Sequence, residues 1–329
     1  MADEIFDLVI ENCSFDVKNS LSLLPNIFKK NIEEIRLRVN CPLSIYSMGR
    51  DYFVSKDGGV FDDPKDGLMI DYKQINKTFQ ILCNYSIYAL AEEVKKGFIT
   101  IKGGHRVGIG GKIVYDNFGI ESIKNISSLN FRIAREKKGI SNEVIKYLLR
   151  GDEFLNTLII SPPQCGKTTL LRDIIRNLSN GMKEHNFRGF KIGLIDERSE
   201  IAGVYNGVPQ KDIGVRTDVL DSCVKSSGIM IMIRAMSPDI IAVDEIGGSD
   251  DILAIEDATR AGIKLIATIH GYSVDDVRRR KSLNYLFNEN IFKRYILLDN
   301  SRGVGTIKEI LDSNTFINLI RKEEGVWLL

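Results

Sequence analysis

Residues Leu158–Leu171 read LIISPPQCGKTTLL. An apolar run of strand length enters a tight loop, and Gly166-Lys167-Thr168-Thr169 then opens a helix. Strand, loop and helix in that order form a phosphate cradle, the P-loop. Loop N–H groups and the helix N-terminus face the anion, and the helix dipole favours its charge. The expected nucleotide-binding stretch is Ser161, Pro162, Pro163, Gln164, Cys165, Gly166, Lys167, Thr168 and Thr169. Lys167 is expected on the β- and γ-phosphates and Thr168 on Mg²⁺. One departure is visible. The usual first glycine of the loop is Ser161, and the two prolines after it stiffen the loop. Helix N-terminus and Lys167 together are expected to lower the thiol pKa of Cys165.

Downstream, Pro238–Gly248 reads PDIIAVDEIGG, an apolar strand ending in two carboxylates. Carboxylates at the tip of a hydrophobic strand are costly unless a cation or ligand uses them. Asp244 is therefore expected to hold Mg²⁺ through water, and Glu245 to polarise the attacking water. Two further segments end strands. LIDERSEIAG (194–203) supplies Asp196, Glu197 and Glu200. Either a carboxylate there faces the nucleotide, or the loop is a solvated acidic turn with Arg198 pairing locally. ATIHG (267–271) supplies Thr268 and His270. This histidine either reports the γ-phosphate through a hydrogen bond or packs at a strand end. An arginine from a neighbouring subunit can complete such a site. The candidates are Arg132, Arg216 and Arg234, which the sequence leaves unranked.

These motifs sit in an alternating pattern. Strands are expected at 154–160, 190–196, 239–244, 263–269 and 295–299, with helices at 167–179, 217–235 and 250–261. That alternation means an α/β fold with a doubly wound parallel sheet, whose ligands bind at the carboxyl ends of the strands. Lys167, Asp196, Glu197, Asp244, Glu245, Thr268 and His270 all fall there. The first part of the chain differs. It mixes strands at 34–39, 42–48 and 129–135, a helix over 71–96, and glycine-rich hairpins across GFITIKGGHRVGIGGKIVY. Within that stretch GGHRVGIGG lies between strand patterns, so turn chemistry explains it better than phosphate binding. The expected division is an N-terminal α/β domain over 1–135, a linker and leading helix over 136–150, and the nucleotide domain over 151–329.

Composition narrows the classes. The 329 residues suit two domains, each with its own core. Lys+Arg total 45 against 44 Asp+Glu, a net charge of +1, so bulk nucleic-acid binding is not expected. The acidic start MADEIFDLVIENC lacks the basic segment of a secretory signal. No apolar run approaches the about 18 residues needed to span a bilayer. Five scattered cysteines with no CxxC fit a reduced compartment and exclude a zinc site of that type. The basic run Arg278-Arg279-Arg280-Lys281 is expected to be a solvated face.

With these residues assembled, the chain closely resembles the stage III sporulation protein AA family over nearly its whole length. The first part carries EEIRLRVNCPL, GFITIKGGHRVGIGG and SSLNFRIAR. The second carries PPQCGKTTLLRD, IDERSEIAG, GVRTDVLD, IRAMSPDIIAVDEIGG and ATIHG. The resemblance implies a mother-cell cytoplasmic ATPase, peripheral to the membrane through its partners. Those partners are the membrane proteins of a channel between mother cell and forespore. The family is in turn similar to the type II and type IV secretion ATPases, which work as hexameric rings. Asp196-Glu197-Arg198-Ser199-Glu200 lies in register with their acidic box, which makes Glu197 a second candidate catalytic carboxylate. Thr268-Ile269-His270 resembles their histidine box. Arg132 is the nearest match to their R-x-S motif, with Ala134 in place of the serine. Asp244-Glu245 stands where many of them carry Gly-Glu.

The resulting expectation is a Mg²⁺-dependent ATPase with a RecA-like P-loop domain behind a smaller α/β N-terminal domain. It works as a self-assembled ring, with Glu245 favoured over Glu197 as the base. The rival classes are a nucleic-acid-binding P-loop ATPase and a nucleotide-gated scaffold with little turnover.

Overall fold

The structure, a computed structural model, describes residues 2–86, 90–117 and 119–320. The chain divides into two compact units. One comprises Met1–Arg135 with Gly203–Gln210, and the other Glu136–Ala202 with Lys211–Leu329.

The first unit is built on an antiparallel sheet of seven strands. Their order is Val60–Phe61, Arg50–Val54, Ser44–Ser47, Ile32–Arg38, Gly119–Arg132, His105–Asp116 and Phe98–Ile101. In Ile32–Arg38 the apolar residues Ile32, Ile35 and Leu37 are buried while the charged ones are not, the mark of a sheet covered on one face. They meet Phe6, Val17, Ile75 and Phe79 from the helices in one core. Lys102-Gly103-Gly104 makes the tight turn into His105–Asp116, and φ of +85° and +68° suits the two glycines. GGHRVGIGG is thus turn and strand.

The helix expected over 71–96 is broken. Asp71 starts it with a capping box, accepting from Gln74 N at 2.7 Å while Gln74 Oε1 accepts from Asp71 N at 2.8 Å. It ends at Leu82, because Asn84 and Tyr85 turn left-handed, at φ +46° and +59°. A second helix covers Ala91–Lys95. Residues 87–89 of the expected helix lie outside the described residues.

In the second unit the strands are numbered β1 (Thr157–Ser161), β2 (Ile192–Asp196), β3 (Thr217–Asp221), β4 (Ile240–Val243), β5 (Lys264–His270), β6 (Arg294–Asp299) and β7 (Thr306–Asp312). Their order across the sheet is β3-β2-β4-β5-β1-β6-β7. All neighbours are parallel except β6 and β7. Every residue of β1, β2 and β4 is buried, as expected of parallel strands covered on both faces. Helix α1 (Lys167–Asn180) buries Leu170, Leu171, Ile174, Ile175 and Leu178, one stripe at helical spacing.

Two elements differ from expectation. The helix expected over 217–235 begins as β3, which pairs in register with β2 from Ile192↔Thr217 to Asp196↔Asp221. Helix α2 (Lys225–Ile231) follows, and then a π-helical turn at Met232–Met236. Tertiary pairing with β2 overrides local preference here. Strand β7 was not anticipated; glycines 303 and 305, at φ +116° and +92°, return the chain to it antiparallel to β6.

Residues 136–150 run into the second unit as an anchored segment. Asp173 of α1 accepts from Gly139 N at 3.0 Å and from Ser141 N and Oγ, each at 2.8 Å. Helix Asn142–Leu148 then packs on α1.

Candidate active site

Register brings the candidate residues to one end of the sheet. β1 lies between β5 and β6, and Ser161↔His270 closes its pairing with β5. Val243↔Ala267 closes the pairing of β4 with β5, so Asp244 emerges beside Thr268. The phosphate-loop strand, the acidic strand and the histidine strand therefore end side by side at their carboxyl termini. Strand order reverses at this point, the usual place for a ligand in such a sheet.

The loop itself has the required backbone. Gln164 and Gly166 are left-handed at φ +62° and +83°, and Gly166 caps α1. A Cβ on Gly166 would lie 3.1 Å from Gly305 Cα, so close packing as well as φ demands glycine there. Ser161 is fully buried, and its hydroxyl donates to Pro162 O at 2.8 Å. Pro163 and Gln164 are exposed, and Pro162 and Thr169 are half-buried.

Cys165 departs from expectation. It is 3% exposed, and its thiol pKa is raised by burial and by the nearby Asp299 carboxylate. Desolvation outweighs the helix N-terminus here.

Lys167 is 9% exposed, and no carboxylate among the described residues comes nearer its ammonium than 3.9 Å. Its Nζ lies 3.3 Å from His270 Nε2, 3.9 Å from Glu245 Oε2 and 4.0 Å from Asp244 Oδ1. A buried ammonium held only at such distances fits a site made for an anion. Thr168 Oγ1 donates to Asp244 Oδ2 at 3.3 Å. Hydroxyl and carboxylate oxygens side by side next to a phosphate cradle are the hard donors that suit Mg²⁺, which takes few protein ligands and completes its shell with water and phosphate.

Thr268, fully buried, organises the acidic pair. Its hydroxyl accepts from Glu245 N at 2.9 Å and donates to Asp244 in a short hydrogen bond. Glu245 is left-handed at φ +54°, a conformation that costs a non-glycine residue energy and is common at functional sites. Its carboxylate faces His270 Nε2 at 2.9 Å and Arg198 NH1 at 3.0 Å. His270 Nε2 thus faces both an acceptor and the Lys167 ammonium, and a neutral imidazole cannot both donate and accept at one nitrogen. Its Nδ1 is enclosed without a hydrogen-bond partner among the described residues.

Glu197 stands apart from this cluster in a close ion pair with Lys225. Asp196 is buried and holds the following turn by accepting from the backbone N–H groups of Glu200 and Ile201 at 2.9 Å and Ala202 at 2.8 Å. Burial nevertheless pushes its pKa up to about 6. The DERSE segment is therefore a pinned turn that presents Arg198 to Glu245.

Two of the three arginines named from the sequence lie elsewhere in the second unit. Arg216 NH1 donates to Ser179 O at 2.8 Å and Asn180 O at 3.4 Å, capping the far end of α1. Arg234 is exposed in the π-helical turn, ahead of the first residue of β4. Both precede strands and so belong to the amino-terminal edge of the sheet. Arg132 is exposed on strand Gly119–Arg132 of the first unit. Arg198, named from the sequence only for local pairing in the alternative of a solvated turn, instead reaches Glu245. Its position beside the acidic-box carboxylates was the available signal.

With this geometry in hand, comparison with known proteins is decisive about ancestry. Residues 17–317 match the family described as Sporulation stage III, protein AA. The chain belongs to that family. Stage III sporulation protein AA of Bacillus subtilis (strain 168) is 43% identical over 310 residues, 94% of this chain and 95% of its own length. Among solved structures, the ATPase DotB of Legionella pneumophila superposes with a TM-score of 0.53 at 16% identity, covering 87% of this chain and 78% of DotB. The pilus retraction motor PilT with bound ADP gives 0.53 at 12% identity, covering 85% and 76%. At such identities the likeness is one of fold, and the fold is the RecA-like P-loop ATPase fold. No helix among the described residues is long and apolar enough to cross a membrane.

Proposed function

We propose that this member of the sporulation family is a Mg²⁺-dependent ATP hydrolase. The observation that carries the reading is the convergence of Lys167, Thr168, Asp244, Glu245 and His270 on the carboxyl ends of β1, β4 and β5. The 162–166 loop and the start of α1 receive the phosphates, with Lys167 on the β- and γ-groups. Thr168 and Asp244 would hold Mg²⁺, which would supply positive charge against the phosphate oxygens. Glu245 orients the attacking water and takes its proton. His270 lies where it can exchange Glu245 for a phosphate oxygen and so report the nucleotide state.

Hydrolysis in this family serves a membrane channel between mother cell and forespore, which the protein energises or helps assemble from the mother-cell cytoplasm. It does so as a homo-oligomeric ring docked on membrane proteins of the channel. The sporulation family supports the setting, and the secretion-ATPase fold supports a ring. The test is turnover of the purified chain with Mg-ATP, alone and with vesicles bearing the membrane partners. Lys167→Ala is expected to abolish nucleotide binding, and Glu245→Gln to retain it without turnover. A wild-type chain that binds no ATP refutes the reading.

A further inference from the structure

The Glu245 carboxylate has two partners at hydrogen-bond distance and a third cation beyond it. Arg198 NH1 lies 3.0 Å from Oε2, Lys167 Nζ 3.9 Å from the same oxygen, and His270 Nε2 2.9 Å from Oε1. Each oxygen of the carboxylate thus has a partner before any nucleotide arrives. Lys167 belongs to the phosphate cradle, so the group it now faces occupies ground that a terminal phosphate needs. Arg198, His270 and Lys167 together present a cationic, hydrogen-bonding cup that suits a doubly charged phosphoryl group better than a singly charged carboxylate.

We infer that Arg198 is the chain's own γ-phosphate arginine: it holds Glu245 in the nucleotide-free state and transfers to the terminal phosphate when ATP binds. This rests on the ATPase reading above. The exchange frees the base at the moment its substrate arrives. Water then attacks the γ-phosphorus, and the bond to the β–γ bridging oxygen breaks with its electron pair left on ADP. The water proton passes to Glu245. Arg198 exchanges no proton and stabilises charge on the equatorial oxygens.

The turn is built for that role. Asp196 fixes the backbone of residues 200–202, and Ser199, left-handed at φ +53°, bonds to Asp221 on β3. The Arg198 side chain is 62% exposed, so it can change partners without being dragged out of a core. Arg216 and Arg234, at the opposite edge of the sheet, have no such access within their own chain. The role usually filled by a neighbouring subunit is then filled in cis.

The experiment compares Arg198→Ala and Arg198→Lys with the wild-type chain. It measures Mg-ATP turnover over a range of protein concentrations, and equilibrium binding of ADP and of the β,γ-imido analogue of ATP. Arg198→Ala is expected to leave ADP affinity unchanged and to lose about tenfold of the preference for the imido analogue over ADP. Its turnover should fall by about 10³ at every protein concentration. Arg198→Lys should recover part of the rate, since it restores charge but not the fork geometry. Turnover of Arg198→Ala at or above the wild-type rate overturns the inference. So does an equal loss of ADP and analogue affinity, which marks a purely structural residue. If the wild-type chain binds neither nucleotide, the ATPase reading has failed. If wild type turns over, Glu245→Gln does not and Arg198→Ala does, only the role of Arg198 has failed.

Discussion

The hydroxyl of Thr268 ties the two acidic residues together, accepting the backbone N–H of Glu245 at 2.9 Å while it donates to the Asp244 carboxylate. From the buried interior of β5 it fixes both residues of the acidic pair. Thr268→Val keeps the shape and removes the hydrogen bonds. Supporting shells of this kind are worth about 10- to 100-fold in metal affinity or activity. The expected outcome is a folded protein with turnover lowered to that extent and a raised half-saturating Mg²⁺ concentration. An unchanged Mg²⁺ titration would count against this role.

The two candidate bases separate cleanly. Glu197 is committed to Lys225, whereas Glu245 faces the cradle. Glu245→Gln should lose about 10² to 10⁴ in turnover with ATP still bound. Glu197→Gln should lose far less. Steady-state rates of the two variants decide the matter, and the reverse order would hand catalysis to the acidic box.

Arg216 is expected to matter for stability. Its guanidinium covers the terminal carbonyls of α1, where a cation is worth about 0.3–1 kcal/mol through the helix dipole. Arg216→Ala should melt a few degrees lower and turn over normally. Loss of turnover at unchanged melting temperature would instead mark it as a residue acting on a neighbouring subunit.

Asp196 gives the second unit a pH signature. Its pKa rises from 3.8 to about 6 on folding, so between those values the native state binds the extra proton. Its contribution is fully present below the unfolded value and is lost as pH climbs through the folded one. Stability should therefore fall from pH 4 to 6 by at most about 1.4 kcal/mol per pH unit for this one group. Asp196→Ala should remove that component of the slope, which denaturant melts at several pH values will read.

Cys165 should resist alkylation at neutral pH despite its place in the phosphate loop, because burial raises its pKa and hides the sulfur. The half-buried Cys41 should label first. Mass-mapped labelling at pH 7 checks the order, and fast modification of Cys165 would mean that the loop opens readily.

The second unit was legible because its signals are local and strong. LIISPPQCGKTTLL and IIAVDEIGG each carry a strand, its end and its chemistry in one stretch. The α/β fold and the places of Lys167 and Asp244 follow from that, as the place of His270 follows from ATIHG. What sequence could not convey was pairing. TDVLD becomes a strand only because β2 lies beside it in register, and β7 forms only because glycines 303 and 305 let the chain return. The break after Leu82 turns on two left-handed residues that any helix pattern over 71–96 conceals. The sign of the Cys165 shift and the reach of Arg198 to Glu245 depend on burial and distance, which no spacing encodes.

The segment Gly203–Gln210 carries a last consequence, for the order in which the chain is made. It belongs to the first unit, where Gln210 Oε1 accepts from Gly103 N at 2.9 Å across 107 residues of sequence. A ribosome delivers β1, α1 and β2 before it delivers that glutamine. The N-terminal unit therefore cannot be completed first, as domains emerging in sequence normally are. It waits for a segment that arrives only after residues 136–202 of the second unit have been made, so its completion is timed by the synthesis of the other.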